Sequence, residues 1–404
     1  MIHLAVRGLC PFRAFWWCDQ RHYGWNVTYR RKRLIAGLAV AALATTGMPA
    51  GAQSSDVMPG FNGNVLTIAY AGYVAYLGGD FTAAIVRGRS VARGHLAAVD
   101  ARTGALLPWA PDADGRVKAL AVAAGSVYLA GDFGRVDGQR RDSLARVDAA
   151  TGALSAAFKH TVSGRPYTAA VLGQRLYLGG AFTAVDGSAR GRLAAFNVRT
   201  GRLDRRWRPR ADDQVEAIAT GGGRIYIGGR FRKVNSTAGY DRMAALDPDT
   251  AALVTGFRPR PPVITHALAV TADGVYSGHG GHGGTVAGYT SAGQLRWSST
   301  FDGDAQAITV LGGTVYAGGH FDRACTTPHT GTMGSCVDGS DHRVKLAALA
   351  AADGRLTAWT ADANGVEGVL ALAGNPALGT IAMGGAFTAV DGRTQKRFAQ
   401  FRLV

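Results

Sequence analysis

The sequence predicts an all-β fold made of seven copies of one antiparallel unit, and three observations support this prediction. The first is a short phrase that recurs about every fifty residues: an aromatic residue, an apolar residue, two small residues, any residue and phenylalanine. Self-similarity at this period is typical of propellers and solenoids. The aromatic position is occupied, in chain order, by Tyr76, Tyr128, Tyr177, Tyr226, Tyr276 in a weaker copy, Tyr316 and, with alanine in its place, Ala382.

The second observation is a fixed offset that predicts a β-hairpin in each unit. An apolar residue stands eight positions before the tyrosine, and a Gly- or Asp-containing turn lies between the two. A constant offset with a turn signal indicates two strands joined by a tight connection. These residues are Ile68, Leu120, Ala169, Ile218, Leu268 and Ile308.

The third observation is a turn motif that ends the third apolar stretch of a unit. Aspartate, two further residues, threonine and glycine occupy residues 100–104 and 148–152. Aspartate bonds its own backbone in such turns and glycine accepts positive φ. A fourth strand is then expected to carry an aromatic residue, namely Trp109, Phe158, Trp207, Phe257, Trp297 and Trp359.

The two ends of the chain complete one unit together. Residues 397–404 match the third strand of other units, whereas residues 58–70 supply an outer strand and the first inner strand. Joining the termini in one sheet leaves no open edge. The sequence therefore predicts a seven-bladed β-propeller of four-stranded antiparallel blades, closed by both termini, as a single domain over residues 53–404.

The first 52 residues have a different character and predict export. A basic stretch at residues 29–33 precedes an apolar run at 34–48 and a small-residue cleavage site ending at Ala52, which is the order of a signal peptide. Residues 1–26 fit no part of such a peptide, so we expect a misassigned upstream start, with Val27 as the initiator. We predict a secreted protein, extracellular or periplasmic, without a transmembrane segment.

The net charge indicates the kind of partner, and the cysteines indicate a disulfide. The formal net charge is +16, and it falls to +10 without residues 1–52, which hold seven basic residues and one acidic residue. This balance favours acidic partners, but the arginines are scattered without interleaved aromatics, which argues against nucleic acid. Cys325 and Cys336 are expected to form a disulfide within one loop of the exported chain.

The stretch from Val215 to Phe257 resembles the delta-60 type of bacterial β-propeller repeat, and the resemblance extends over the whole chain after residue 52. It implies a secreted propeller of a domain class without an assigned function. Residues 98–109 are similar to the repeat of quinoprotein dehydrogenase propellers, with the tryptophan one residue late. No vicinal cysteine pair or dedicated calcium loop accompanies the second likeness.

Two groups of residues are candidates for a site. The repeat breaks at residues 277–284 and 320–345, where His279, His282 and His320 could bind zinc or copper. We predict no cofactor, and zinc, copper or calcium is the alternative; flexible loops also tolerate histidines without a metal. Two positions before each apolar anchor, the inner strand offers channel-lining residues, which are Lys118, Tyr167, Glu216, His266 and Gln306.

We interpret the chain as a non-catalytic module that binds a ligand or partner, a monomer whose partner is a cell-surface or extracellular macromolecule, acidic or a glycan. The alternative is a propeller enzyme that uses the channel residues, a polysaccharide or lactone hydrolase or lyase, or a quinone-dependent dehydrogenase. An enzyme would place ionisable groups with perturbed pKa values in a deep pocket near Glu216 and His266. A binding module would expose arginines or aromatics on its loop face.

Overall fold

The computed structural model describes residues 53–54 and 58–403. All of them belong to one compact unit, Gly47–Val404. The predicted signal peptide, residues 1–52, and the predicted start at Val27 lie outside the described residues. Within that described part, every regular element is a strand except one short 3-10 helix, Thr332–Gly334. The protein is therefore all-β, as the repeat predicts.

In the described residues, seven of the antiparallel sheets follow one another in chain order, and each of these seven begins with a hairpin of an inner and a middle strand. The inner strands are Val65–Ala71, Arg116–Ala123, Pro166–Leu172, Val215–Gly221, Thr265–Thr271, Ala305–Leu311 and Val369–Asn375. The middle strands are Val74–Gly79, Ser126–Asp132, Arg175–Gly180, Arg224–Gly229, Gly274–His279, Thr314–Gly319 and Thr380–Gly385. The third strands are Leu96–Asp100, Leu144–Asp148, Leu193–Asn197, Met243–Leu246, Thr285–Tyr289, Leu346–Ala350 and Phe398–Arg402.

Within the described residues, a fourth paired strand occurs only in the fifth sheet, as Leu295–Thr300, and in the seventh, as Gln53–Ser54 against the last strand. In the other five sheets the expected fourth strand is reduced to one bridging residue. After this residue the chain turns away so that its Trp or Phe packs between sheets. The bridges are Val99 with Leu106, Val147 with Leu154, Phe196 with Leu203, Leu246 with Leu253 and Leu349 with Leu356.

Short strands lie in the loops that join middle and third strands and in the segments that precede inner strands. Several of these loops are hairpins whose Asp-Gly pair has positive φ at both residues, such as Asp137 at 49° and Gly138 at 71°. The short strands are Gly60–Phe61, Ala83–Val86, Arg89–Ala92, Arg135–Val136, Gln139–Arg140, Val162–Ser163, Ala184–Val185, Ser188–Ala189, Lys233–Val234, Thr237–Ala238, Arg323–Cys325, Ser340–His342, Ala389–Val390 and Arg393–Thr394.

The repeated tyrosine is buried in the middle strand and fastens one sheet to the next. In the third sheet, Tyr177 packs edge-on against Trp207, with ring centroids 5.0 Å apart, and its hydroxyl donates to the Pro248 carbonyl of the following sheet at 3.0 Å. Tyr76 and Tyr128 donate in the same way to the following sheets. Each bond satisfies a polar group that burial would otherwise leave unpaired. The recurring phrase is therefore a packing requirement.

The seventh sheet lacks the tyrosine, and a different residue replaces its bond. Gln400 lies directly opposite Ala382 on the neighbouring strand and donates to the Ala101 carbonyl of the first sheet at 2.7 Å. Tyr70 of the first inner strand donates to the Gln400 side-chain oxygen at 3.0 Å. Inner strands of consecutive sheets lie side by side, and the first inner strand also contacts the seventh. The first and seventh sheets are thus joined by specific contacts.

Candidate functional site

Each inner strand contains one irregularity of pairing at the same point near its start. The register against the middle strand skips one residue, for example between Val215 and Ala217. Such a bulge leaves one residue unpaired and redirects its side chain. The skipped residues include the five that the sequence predicts for the channel, and they are Leu66, Lys118, Tyr167, Glu216, His266, Gln306 and Leu370.

Glu216 and His266 of neighbouring sheets form a tight pair. The Glu216 Oε2 and His266 Nδ1 atoms are 2.6 Å apart, and Arg230 Nε donates to Oε1 at 2.7 Å. Burial alone would raise the pKa of Glu216, but the hydrogen bonds and charges of His266 and Arg230 outweigh it and lower that pKa. On its other side, His266 Nε2 lies 3.9 Å from Asp304 Oδ2. The carboxylate is therefore held ionised between two nitrogen donors.

Lys118 of the second sheet and Tyr167 of the third form a second group. Lys118 Nζ lies 2.7 Å from Asp132 Oδ2 and 4.9 Å from the centroid of the Tyr167 ring. The ammonium is thus shared between a carboxylate and an aromatic face. Gln306 lies half-buried at the equivalent bulge of the sixth sheet. The five predicted side chains therefore occupy one end of five consecutive inner strands, in two bonded groups and one single residue.

The three histidines proposed as metal ligands lie in different environments. His279 is 1% exposed, with its ring nitrogens 2.7 Å from Ser277 Oγ and 3.2 Å from Thr265 Oγ1. Burial lowers the pKa of His279 to about 4. His282 and His320 are exposed. Among the residues described, no three His, Cys, Asp or Glu side chains are grouped to hold a metal ion.

The long loop of the sixth sheet is cross-linked as the sequence predicts. Cys325 and Cys336 form a disulfide, and their Cα atoms are 5.1 Å apart. The bond lies in the same loop as the short antiparallel pair Arg323–Cys325 and Ser340–His342. It thus constrains the longest insertion in the repeat.

A cavity of about 470 Å³ on the loop face lies outside the predicted site residues. Loops of the third and fourth sheets and the segment that connects the two sheets form its walls, and their backbones bridge at Gly191 and Arg210. The signal in the sequence is the segment from Arg199 to Arg210, in which half of the residues are arginine. The lining residues are Thr183, Ala189, Arg190, Gly191, Arg192, Arg208, Pro209, Arg210, Ala211, Asp212, Lys233 and Ser236.

Comparison with known proteins identifies the type of repeat. The family model described as outer membrane protein assembly factor BamB, a quinoprotein-type propeller repeat, matches residues 39–255, more than half of the chain. This agrees with the likeness noted at residues 98–109, whereas the delta-60 resemblance stays a prediction. No curated protein matches the chain.

A solved propeller structure shares the fold with little sequence similarity. The WD40 β-propeller domain of Doa1 is similar with a TM-score of 0.54 and 9% identity, over 87% of this chain and 97% of that one. The computationally designed Ika8 protein aligns over 86% of this chain and 98% of that one, with a TM-score of 0.47 and 15% identity. Helices able to cross a membrane are absent from the described residues. The protein is an all-β propeller.

Proposed function

The chain belongs to the family described as outer membrane protein assembly factor BamB, and from this premise we propose that it is an exported, non-catalytic propeller that binds a partner through its loop face. The proposed ring has seven blades. The seven consecutive sheets, the contact of the first inner strand with the seventh, and the bond from Gln400 to Ala101 support this count. Closure of the ring by both termini belongs to the same proposal, with a fourth paired strand in the fifth and seventh sheets and a single bridge in its place in the other five.

The observation that carries the proposal is the pairing of charges at the channel bulges. A general acid at neutral pH needs a raised carboxyl pKa, whereas the pKa of Glu216 is lowered by its two nitrogen partners after burial is offset. Lys118 is likewise bound by Asp132. The Glu216–His266 contact links the fourth and fifth sheets, and the Lys118–Asp132 ion pair lies within the second, so both pairs are satisfied inside the protein without a ligand. The loop face, by contrast, exposes Arg208 and Arg210, whose side chains have no partner among the described residues, the feature expected of a binding module.

The family and the disulfide support export. Cross-links such as Cys325–Cys336 persist in oxidising compartments, and the family description refers to an outer membrane process. We take the protein to be an extracellular or periplasmic monomer whose partner is an envelope macromolecule.

The proposal includes no quinone or metal. The two described cysteines are bonded to each other within one loop, and no three of the described His, Cys, Asp and Glu side chains are arranged to hold a metal ion. This donor set does not fit a metal-assisted quinone site.

An assay of turnover beside binding tests the proposal. The purified protein is incubated with isolated cell envelopes, with a uronate polysaccharide and with an aldonolactone, and retention is measured together with new reducing ends, unsaturated products and lactone opening. We expect retention on envelopes without product, unchanged in Glu216→Gln and His266→Gln. Product that disappears in these two variants would establish the enzyme instead, and failure to bind envelopes would refute the binding role.

A further inference from the structure

We propose that the arginine-lined cavity between the third and fourth sheets binds an acidic polysaccharide whose uronate carboxylates contact Arg208, Arg210 and Lys233. This inference rests on the proposed binding function and names its ligand class. Five cationic side chains and one acid, Asp212, line the cavity. The Oδ1 atom of Asp212 already accepts two backbone N–H groups of the neighbouring loop, at 2.8 and 3.0 Å.

Three of the cations are exposed and lack a protein partner. The side chains of Arg208, Arg210 and Lys233 make neither a hydrogen bond nor an ion pair with any described residue. Burial is the main cause that lowers the pKa of Arg190, and the nearby positive charge of Arg208 lowers it further. Unpaired like charges that face one cavity are relieved by an anion. An arginine fork is suited to a carboxylate because it donates two parallel N–H groups.

Two of the lining arginines each have a buried Nε atom without an acceptor. Arg190 is only 5% exposed; its terminal nitrogens bond the carbonyls of Ala189 and Asp204, but its Nε lacks an acceptor. Arg192 Nε is also buried without an acceptor. Arg93, Arg141 and Arg343 occupy the position of Arg190 in other units, and their Nε atoms are also buried without an acceptor. The unpaired Nε is therefore a feature of the repeat. This cavity differs from the equivalent positions in other units because the exposed cations Arg208, Arg210 and Lys233 line it together with Arg190.

The next connection along the chain shows the same arginines with partners. Arg258 and Arg260 occupy the positions of Arg208 and Arg210 in the repeat. Arg258 lies over the Tyr240 ring at 4.7 Å, and Arg260 Nε donates to the Gly239 carbonyl at 3.1 Å. Tyr240 stands where the preceding unit has Arg190. Replacement of an aromatic face by a guanidinium thus leaves the earlier pair of arginines without an internal partner.

The rest of the lining favours a saccharide over other polyanions. The cavity's non-polar residues are small, being alanine, glycine and proline, so it offers no large apolar anchor of the kind that dominates protein interfaces. None of its twelve lining residues is aromatic, so bases of single-stranded nucleic acid find no stacking platform. Thr183 and Ser236 supply hydroxyls beside the cations. Arg205 and Arg206, which precede Arg208 in the chain, are also exposed, and this suits a ligand longer than the cavity.

Binding to polygalacturonate, with neutral dextran as reference, tests the inference. Exchanging the two exposed arginines, Arg208→Gln with Arg210→Gln, should weaken binding of this polymer about tenfold to a hundredfold, since two charge-assisted contacts are lost. The matched control, Arg258→Gln with Arg260→Gln, changes the net charge equally and should leave binding within about twofold. Circular dichroism and the unfolding midpoint verify that both double variants fold.

Four outcomes would overturn the inference: no binding of polygalacturonate, equal binding of dextran, equal losses in the two double variants, or tighter cavity-dependent binding of polyglutamate or single-stranded DNA. Each leaves the proposed function standing if the protein still binds envelopes without turnover. Conversely, cleavage of polygalacturonate with Arg208- and Arg210-dependent binding would refute the non-catalytic role and keep the site.

Discussion

His279→Gln should abolish part of the pH dependence of folding stability. The imidazole is 1% exposed, and its two ring nitrogens contact the hydroxyls of Ser277 and Thr265. No carboxylate is within bonding distance of the ring among the described residues, so a proton on it would be a buried charge without an anionic partner. Burial is accordingly the main cause that lowers the pKa of His279 to about 4, with His266 adding to it.

The sign and size follow from proton linkage. In the unfolded chain a histidine has a pKa near 6.5, so below that pH the unfolded state binds a proton that the folded state excludes. The contribution of His279 is fully present above pH 6.5 and is lost as the pH falls toward 4. The slope approaches about 1.4 kcal/mol per pH unit, and the total loss is about 3 kcal/mol at pH 4.

The free energy of unfolding is measured by urea titration with tryptophan fluorescence between pH 7.5 and 4. Wild type should lose stability relative to His279→Gln by about 3 kcal/mol over this range, because glutamine bonds both hydroxyls without titrating. Carboxylates such as Glu216 titrate in both proteins, so the difference isolates the histidine. His320→Gln controls for the exchange at an exposed position. Parallel pH curves for wild type and His279→Gln would refute the reasoning.

Three further predictions concern stability. Gln400→Ala should lower the free energy of unfolding by about 1–3 kcal/mol, since it leaves the Ala101 carbonyl buried and unpaired, and an unchanged urea midpoint would contradict this. Ser236→Gly should raise the free energy of unfolding by about 1 kcal/mol, because Ser236 has φ +64°, a conformation that glycine adopts without strain. A variant that unfolds at a lower urea concentration would contradict this prediction. Reduction of the Cys325–Cys336 disulfide should cost at most about 3 kcal/mol, measured against the double serine variant, which should show no effect of reductant.

The bulge residues were predictable because the repeat fixes their distance from the tyrosine. A hairpin with a constant turn gives every residue of the inner strand a fixed depth, so Glu216 and His266 could be placed at the same end without coordinates. Their mutual bond was not predictable, because it depends on side-chain reach between neighbouring sheets. The reduction of most fourth strands to a single bridge, such as Val99 with Leu106, also escapes sequence patterns.

The histidines show the limit of reasoning from a break in the repeat. His279 ends a middle strand, where alternation of side chains directs it into the interior, whereas His282 lies three residues on in an exposed loop. Nearness in sequence therefore did not bring the rings together. Gln400 shows the opposite case: a residue distant in the repeat from the missing tyrosine replaces its bond, because antiparallel pairing sets it opposite Ala382.

The binding capacity of the arginines in this protein depends on whether each one already has a partner within the fold. The scattered arginines argue against a single basic surface, yet the repeat determines which of them meet. Where this repeat position holds Tyr240, its ring makes a cation–π contact with Arg258. Where the same position holds Arg190, its positive charge adds to that of Arg208. One exchange between two similar units thus converts a self-satisfied contact into an open one. Because stability gains nothing from like charges left unpaired, a ligand that carries the missing negative charge accounts for this cavity better than packing does.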